Sequence, residues 1–399
     1  MKPMSFGHSS CYCKCLGLPL SDRMGRPVQS NKAEVGKLGS YSVSINFRDK
    51  GYGESHQPNF YLLACIGDEM KKFVLILLLM VIACEDNFQV VENNELTFIA
   101  TEGNFGSSNG AIAVFNGNQQ IQNIPDVGDV VQSLAIHNDK LFVLVNNSHL
   151  LKVYNITDSG LRLPGINIST DDSGPREMVI VDNYVYFTNW NTQDVKILNL
   201  ETYFIEGSIN INGLPESIVS DGSYLWVAIS SGSTVEKISL ETREIIETIE
   251  VGNGPQQMLL EGNLLWISRT YYSANWTETY HGTTLINIQT GEVSMREYGV
   301  GTVCGGDMML IAGEVYRTFE GGVAPLAMDL TLNRSAKIGT YSSNDLYSAG
   351  ANNKNVFMGI TSDFQAPDTV YVHNDLGELS YTYIVGASPG DYEVWSGSN

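Results

Sequence analysis

From about residue 94 onward, apolar residues fall in short alternating runs rich in Val, Ile, Leu, Tyr and Trp, divided by Asn-Gly, Asp-Gly and Gly-Asn pairs. Alternation with period two predicts strands with one buried face, and the Gly and Asn pairs predict tight turns between them. Proline sets a longer period. Gly174-Pro175-Arg176-Glu177, Leu214-Pro215-Glu216-Ser217 and Gly254-Pro255-Gln256-Gln257 recur at intervals of 40 residues. Four apolar runs follow each: EMVIVD, YVYFTNW, DVKILNL and FIEGSINI, then SIVSD, YLWVAIS, TVEKISL and REIIETIEV, then QMLLE, LLWISRT, TTLINIQ and EVSMREY. Upstream, VQSLAIHN, KLFVLVNN, LLKVYN and LRLPGINI form one more unit, and residues 302–340 and 341–387 form two looser ones. Four antiparallel strands repeated at this spacing are the signature of a β-propeller.

The ends of the pattern give the blade number. Residues 94–124 supply three runs without a leading one, and the chain finishes with Ser388-Pro389-Gly390-Asp391 and YEVW, the opening of a repeat with nothing after it. The expected fold is therefore all-β: a seven-bladed β-propeller of four-stranded antiparallel blades over 94–399. Its C-terminal strand joins the first blade as the inner strand, so the ring has no free edge. Trp226 and Trp266 fall mid-strand and are expected in the core.

Composition agrees with a packed fold. At 43% hydrophobic and 17% charged, the 399 residues suffice for a large core and are too apolar for general disorder. The net charge of −21 excludes nucleic acid as a partner, because no basic stripe offsets phosphate repulsion. The acidity is uneven. Residues 1–83 carry 10 Lys and Arg against 6 Asp and Glu, and residues 84–399 carry 13 against 38, a balance of −25.

The boundary between those parts is a distinct segment. Met70-Lys71-Lys72 precedes an unbroken apolar run from Phe73 to Ala83, then Cys84. That run is too short to span a bilayer but fits the apolar region of a secretory signal behind a positive start. Val81-Ile82-Ala83-Cys84 resembles a bacterial lipobox, in which the cysteine is lipidated. The expected organisation is an upstream extension over 1–69, a lipoprotein signal peptide over 70–83, an acidic tether over 84–93 and then the propeller. A cleavable signal has to emerge first, so this reading makes Met70 the true start. After Cys84 the remaining thiol is Cys304, so no intramolecular disulfide is expected. Multiple acylation at Cys84 would make the membrane attachment stable.

The stretches ATEGNFGSSNGAIAVFN (100–116) and GDVVQSLAIHNDKLFVLVNN (128–147), together with the Ser-Pro-Gly-Asp ending, resemble YncE-like, YVTN-repeat seven-bladed propellers, and more closely a branch of Bacteroidota-type lipoproteins. The resemblance implies an extracytoplasmic, surface-displayed lipoprotein of the outer membrane. For function it implies capture of a small-molecule ligand, with a corrinoid such as cobalamin for an outer-membrane transporter as the sharpest candidate. A protein-interaction scaffold in a cell-envelope complex and a propeller hydrolase or lyase are the alternatives. The propeller is expected to be monomeric.

In such a blade the loop between the second and third strands lies on the same face as the blade-to-blade connection. These loops are long and aromatic here, whereas the turns of the opposite face are short. The candidate ligand-binding residues are Glu102, Asn104 and Phe105 in the first blade, Asn146 and Asn147 in the second, Trp190 in the third, and Tyr271, Tyr272 and Trp276 in the fifth. Phe319 in the sixth and Phe364 in the seventh complete the aromatic set. Large amphipathic rings suit a binding surface on a rigid scaffold, and packing of loops onto their neighbours is the alternative role. Arg269-Thr270-Tyr271 and Arg317-Thr318-Phe319 are expected at equivalent positions, with both guanidinium groups near the channel mouth to clamp an anionic or amide-rich group. Salt bridges to nearby carboxylates are their alternative. His137, His149, His281 and His373 lie on different repeats without hydrolase motifs, so no enzyme activity, catalytic residue, metal or cofactor is expected.

Overall fold

The computed structural model describes residues 95–301, 306–352 and 354–397. The upstream extension, the signal peptide, Cys84 and the acidic tether lie outside the described residues. Seven separate antiparallel sheets follow one another along the chain, as the repeat predicts. Their inner strands are Val131–His137, Pro175–Val181, Pro215–Ser220, Pro255–Glu261, Met308–Ile311, Leu346–Ala351 and Pro389–Trp395. Each inner strand packs beside the next, and the last meets the first, so the seven surround a central channel.

Closure is made by the C-terminal strand. Pro389–Trp395 pairs antiparallel with Leu96–Thr101, supplying the inner strand that the first blade lacks. Blade 6 departs from the four-strand rule. Its third strand, Gly322–Pro325, is short, and its outer edge is reduced to bridges at Val323–Ile338 and Leu326–Leu332 around a 3₁₀ turn, Arg334–Ala336. Among the described residues no helix is long and apolar enough to cross a membrane.

The core is divided into slabs. Seven clusters of buried apolar side chains each join two neighbouring blades. Trp226 lies between blades 4 and 5, and Trp266 between blades 5 and 6, both buried as expected. Sheets stacked in this way bury both faces of their inner strands, so the alternation there selects between neighbouring blades, whereas outermost strands such as Ile245–Glu250 are exposed.

One irregularity recurs and sets up the channel. Pro175 pairs with Asn189 and Met178 with Phe187, so three steps on the inner strand face two on its partner. Blades 4 and 5 repeat this bulge after Pro215 and Pro255. Blades 1, 2 and 7 carry one extra residue at the same place. The residue before the strand has positive φ in four blades (Val130, Gly174, Gly254 and Ser388), which explains the Gly-Pro pairs. At Gly254 a side chain would meet the Thr270 carbonyl oxygen at 2.1 Å.

The closing strand also makes a testable anchor. Trp395 is 6% exposed within the slab between blades 1 and 2, and its Nε1 donates to Asp139 Oδ1 at 3.2 Å. Trp395→Ala is expected to cost about 3–5 kcal/mol by loss of packing and a hydrogen bond. Chemical denaturation checks this; an unchanged midpoint would mean that the last strand does not hold the ring.

Candidate functional site

The bulges deliver two consecutive side chains to the end of the channel that shares a face with the aromatic loops. The first position after the strand start is Gln132, Arg176, Glu216, Gln256, Tyr347 and Gly390 in blades 2, 3, 4, 5, 7 and 1. The second is Ser133, Glu177, Ser217, Gln257, Ser348 and Asp391. Asp307 takes the second position in blade 6.

The second position ties the ring together. Leu134 N–H donates to Asp391 Oδ2 at 2.7 Å, Met258 N–H to Ser217 Oγ at 3.2 Å and Ala349 N–H to Asp307 Oδ2 at 2.7 Å. In each case the donor is the fourth residue of the following inner strand. The first position carries a buried ion pair between blades 3 and 4. Arg176 Nη2 lies 2.6 Å from Glu216 Oε1 and its Nε 3.1 Å from Oε2, a two-bond fork at almost complete burial. Its Nη1 donates to Gln132 Oε1 at 2.5 Å, and the guanidinium lies 4.4 Å from the ring centre of Trp190.

Gln132, Arg176, Glu177, Glu216, Gln257, Asp307, Tyr347, Ser348, Gly390 and Asp391 line a cavity of about 390 Å³ that opens at the channel mouth and runs along the inner strands of blades 6 and 7 as far as Asn352. Its charged residues are Glu102, Glu177, Glu216, Asp307 and Asp391 against Arg176. Burial, followed by the charges of Asp391 and Glu216, pushes the Glu177 carboxyl well above the usual carboxylate range despite the nearby Arg176. Burial likewise raises Asp391, against the Leu134 N–H bond that favours its ionised form. Glu393, on the same strand, is pushed up to about 7, chiefly by burial.

The candidates named from the sequence divide into three groups. Glu102 lines the cavity and Trp190 covers its ion pair, while Asn146 Nδ2 donates to the Pro175 carbonyl at 2.8 Å, holding the bulge. Asn147 donates to the Asp129 carboxylate. Asn104 Nδ2 donates to the Phe364 carbonyl at 2.9 Å, and Phe364 meets the edge of Tyr347, a cavity wall, at 5.8 Å. A second group forms an outer rim. Tyr272 stacks on Trp276 at 5.2 Å and Tyr271 on Tyr280 at 5.5 Å, along a hairpin whose strands, Leu264–Tyr272 and Thr279–Asn287, are three residues longer than those of blade 4. That length carries the tip about 10 Å beyond the neighbouring blade. Trp276 is 74% and Phe105 43% exposed.

The third group lies between blades. Arg269 is 1% exposed and pairs with Glu297 at 2.6 Å, which also accepts the Tyr271 hydroxyl at 3.1 Å. Arg317 is 0% exposed, donates to Gly282 O at 2.5 Å and Thr283 Oγ1 at 2.7 Å, and lies 5.1 Å from the Tyr298 ring. The two arginines are not equivalent: Met308 pairs with Arg317 but Met258 with Ile267, so Arg317 takes the register of Ile267. Neither lines the cavity, and the salt-bridge alternative describes Arg269. Burial lowers Arg317 to about 10, and burial with the Arg317 charge lowers His281 to about 4. Phe319 packs against His281 and Tyr298 at 2% exposure, in the same interface.

No family model matches the chain, and no curated protein matches it. Among solved structures it is similar to the computationally designed Ika8 protein, at 13% identity and a TM-score of 0.50, over 75% of this chain and 96% of that one. It is similar to apo AztD from Citrobacter koseri at 10% identity and 0.50, over 76% and 98%. It is also similar to BamB from Moraxella catarrhalis at 11% identity and 0.45, over 73% and 88%. At these identities the likeness is one of fold.

The channel acids predict a pH dependence of stability. Glu177, Asp391 and Glu393 hold protons more tightly folded than unfolded, so their stabilising contribution is full below the ordinary carboxylate range and is lost as pH rises through about 7. His281 acts oppositely below about 6.5, where the unfolded chain takes up a proton that the folded one refuses. Thermal stability should therefore rise as pH falls from about 8 to 6.5, and Glu177→Gln should stabilise the protein at pH 8 by about 1 kcal/mol or more. Melting curves across this range check both; a flat wild-type profile would contradict the assignment.

Proposed function

We propose that this protein is a lipid-anchored, extracytoplasmic binding protein that captures a small ligand at the channel mouth on its aromatic loop face. The observation that carries this reading is the cavity itself: a charged pocket on a rigid ring, walled by inner strands from every blade, with Trp190 packed on the guanidinium of its wall residue Arg176. Binding is favoured over catalysis by what the acids do. Glu216 is engaged by Arg176, and Asp391 and Asp307 tie neighbouring blades through backbone N–H groups, so three of the carboxylates hold geometry.

Placement at the cell envelope rests on the segment from Met70 to Cys84 and on the resemblance of residues 100–116 and 128–147 to YncE-like lipoproteins. A corrinoid, offered by that resemblance for delivery to an outer-membrane transporter, would lie across the loop face on the exposed Phe105 and Trp276, outside the cavity.

Thermal-shift measurements on the full chain with a set of small charged and neutral metabolites test capture at the channel mouth. A saturable rise in melting temperature is expected for at least one compound. It should be lost in Trp190→Ala and kept in Asn263→Ala, a change in a short turn of the opposite face. A shift that survives Trp190→Ala, or no shift with any compound, overturns it.

A further inference from the structure

The channel-mouth cavity carries a charge that its walls do not balance. Its basic residue, Arg176, is already engaged by Glu216, Gln132 and the Trp190 ring. Asp391 and Asp307 each accept a backbone N–H from the next blade. Glu177 is placed differently. Half-buried, its side chain meets a neutral amide, Gln257 Nε2, at 3.4 Å, while Asp391 and Glu216 repel its charge more than Arg176 relieves it. A carboxylate so placed holds a proton until a cation replaces it. The cavity walls therefore carry five acids against one guanidinium.

We propose that this cavity recognises its ligand through a protonated amino group, bound by Glu177 with the negative charge of Asp391 nearby. The inference rests on the reading of the channel mouth as the binding site and names the class of ligand. An ammonium group suits the walls because it brings a positive charge and up to three N–H donors to a ring of oxygen acceptors. Among the described residues no group of three His, Cys, Asp or Glu side chains is arranged to hold a metal ion. A volume of about 390 Å³ leaves room for the organic body of an amine beside Leu259, Tyr347 and Met309.

Binding is then linked to proton release. Glu177 faces Asp391, Glu216, Arg176 and Gln257, and Asp391 faces Glu393 and Asp307. The amine stays protonated while the acids give up their protons, so affinity should rise about tenfold between pH 6 and 8.

Isothermal titration of the full chain with 2-phenylethylamine, 1,4-diaminobutane and the neutral isostere 2-phenylethanol tests this. At least one amine is expected to bind saturably and the alcohol not, with affinity rising between pH 6 and 8. Glu177→Gln should weaken amine binding about tenfold and flatten its pH dependence, with Glu177→Asp recovering part of both. The melting temperature of each variant establishes that it is folded. Equal binding of the alcohol, amine binding unaltered in Glu177→Gln, or no amine binding up to about 10 mM overturns the cationic assignment. If a metabolite of another class still gives a shift that Trp190→Ala abolishes, the channel mouth stands as a binding site and only the ligand class fails.

Discussion

The antiparallel pairing of Pro389–Trp395 with Leu96–Thr101 is the constraint on which the rest of the molecule depends. A propeller blade cannot bury its faces alone, and each apolar slab here is made half by one blade and half by the next. Without the closing strand the first blade would offer an open edge to the channel, and two slabs would lose a wall. The same strand carries Asp391 to the mouth, so closure of the ring and completion of the cavity are one event. Its cost is a long sequence separation between partners, an entropy that the Trp395 anchor and the Asp391 bond to Leu134 N–H help to offset.

The bulge at the head of the inner strands converts this scaffold into a site. An extra residue breaks the strict alternation, so two neighbouring side chains reach the mouth where a regular strand would send one. In three blades the second of these accepts an N–H from the adjacent inner strand, which fixes the mouth to the ring geometry. Arg176 and Glu216 join blades 3 and 4 through a buried pair whose removal from water is costly unless both partners stay. Of the other two cavity acids, Glu177 is carried as a local cost of stability, the kind of conflict that concentrates at sites of function.

The architecture was legible because its causes are local and repeated. Period-two alternation, the 40-residue spacing of proline and the unfinished last repeat each reflect a backbone requirement, and all three lead to the closed ring of seven. The site was legible in part. Loop aromatics such as Trp190 and Trp276 stand out by type, but Phe319 sits in an interface because blade 6 begins its pairing at Met308. That same register hides Arg317 and separates it from Arg269. Arg176, Glu177, Glu216 and Asp391 were in view as the residues following each repeat proline, yet they served as markers of spacing. Their signal was variation within a fixed frame: Arg-Glu, Glu-Ser, Gln-Gln and Gly-Asp after the same Pro. A bulge that turns both positions toward a channel cannot be seen in alternation alone.

The binding chemistry of the channel mouth turns on the state of one carboxyl group. Carbon-detected magnetic resonance of selectively labelled glutamate, assigned with Glu177→Gln, follows its titration with and without 2-phenylethylamine. The expected Glu177 midpoint lies well above the ordinary glutamate range in the free protein and moves down when the amine is present. A midpoint near 4.5, the ordinary value, unmoved by the amine, would contradict this.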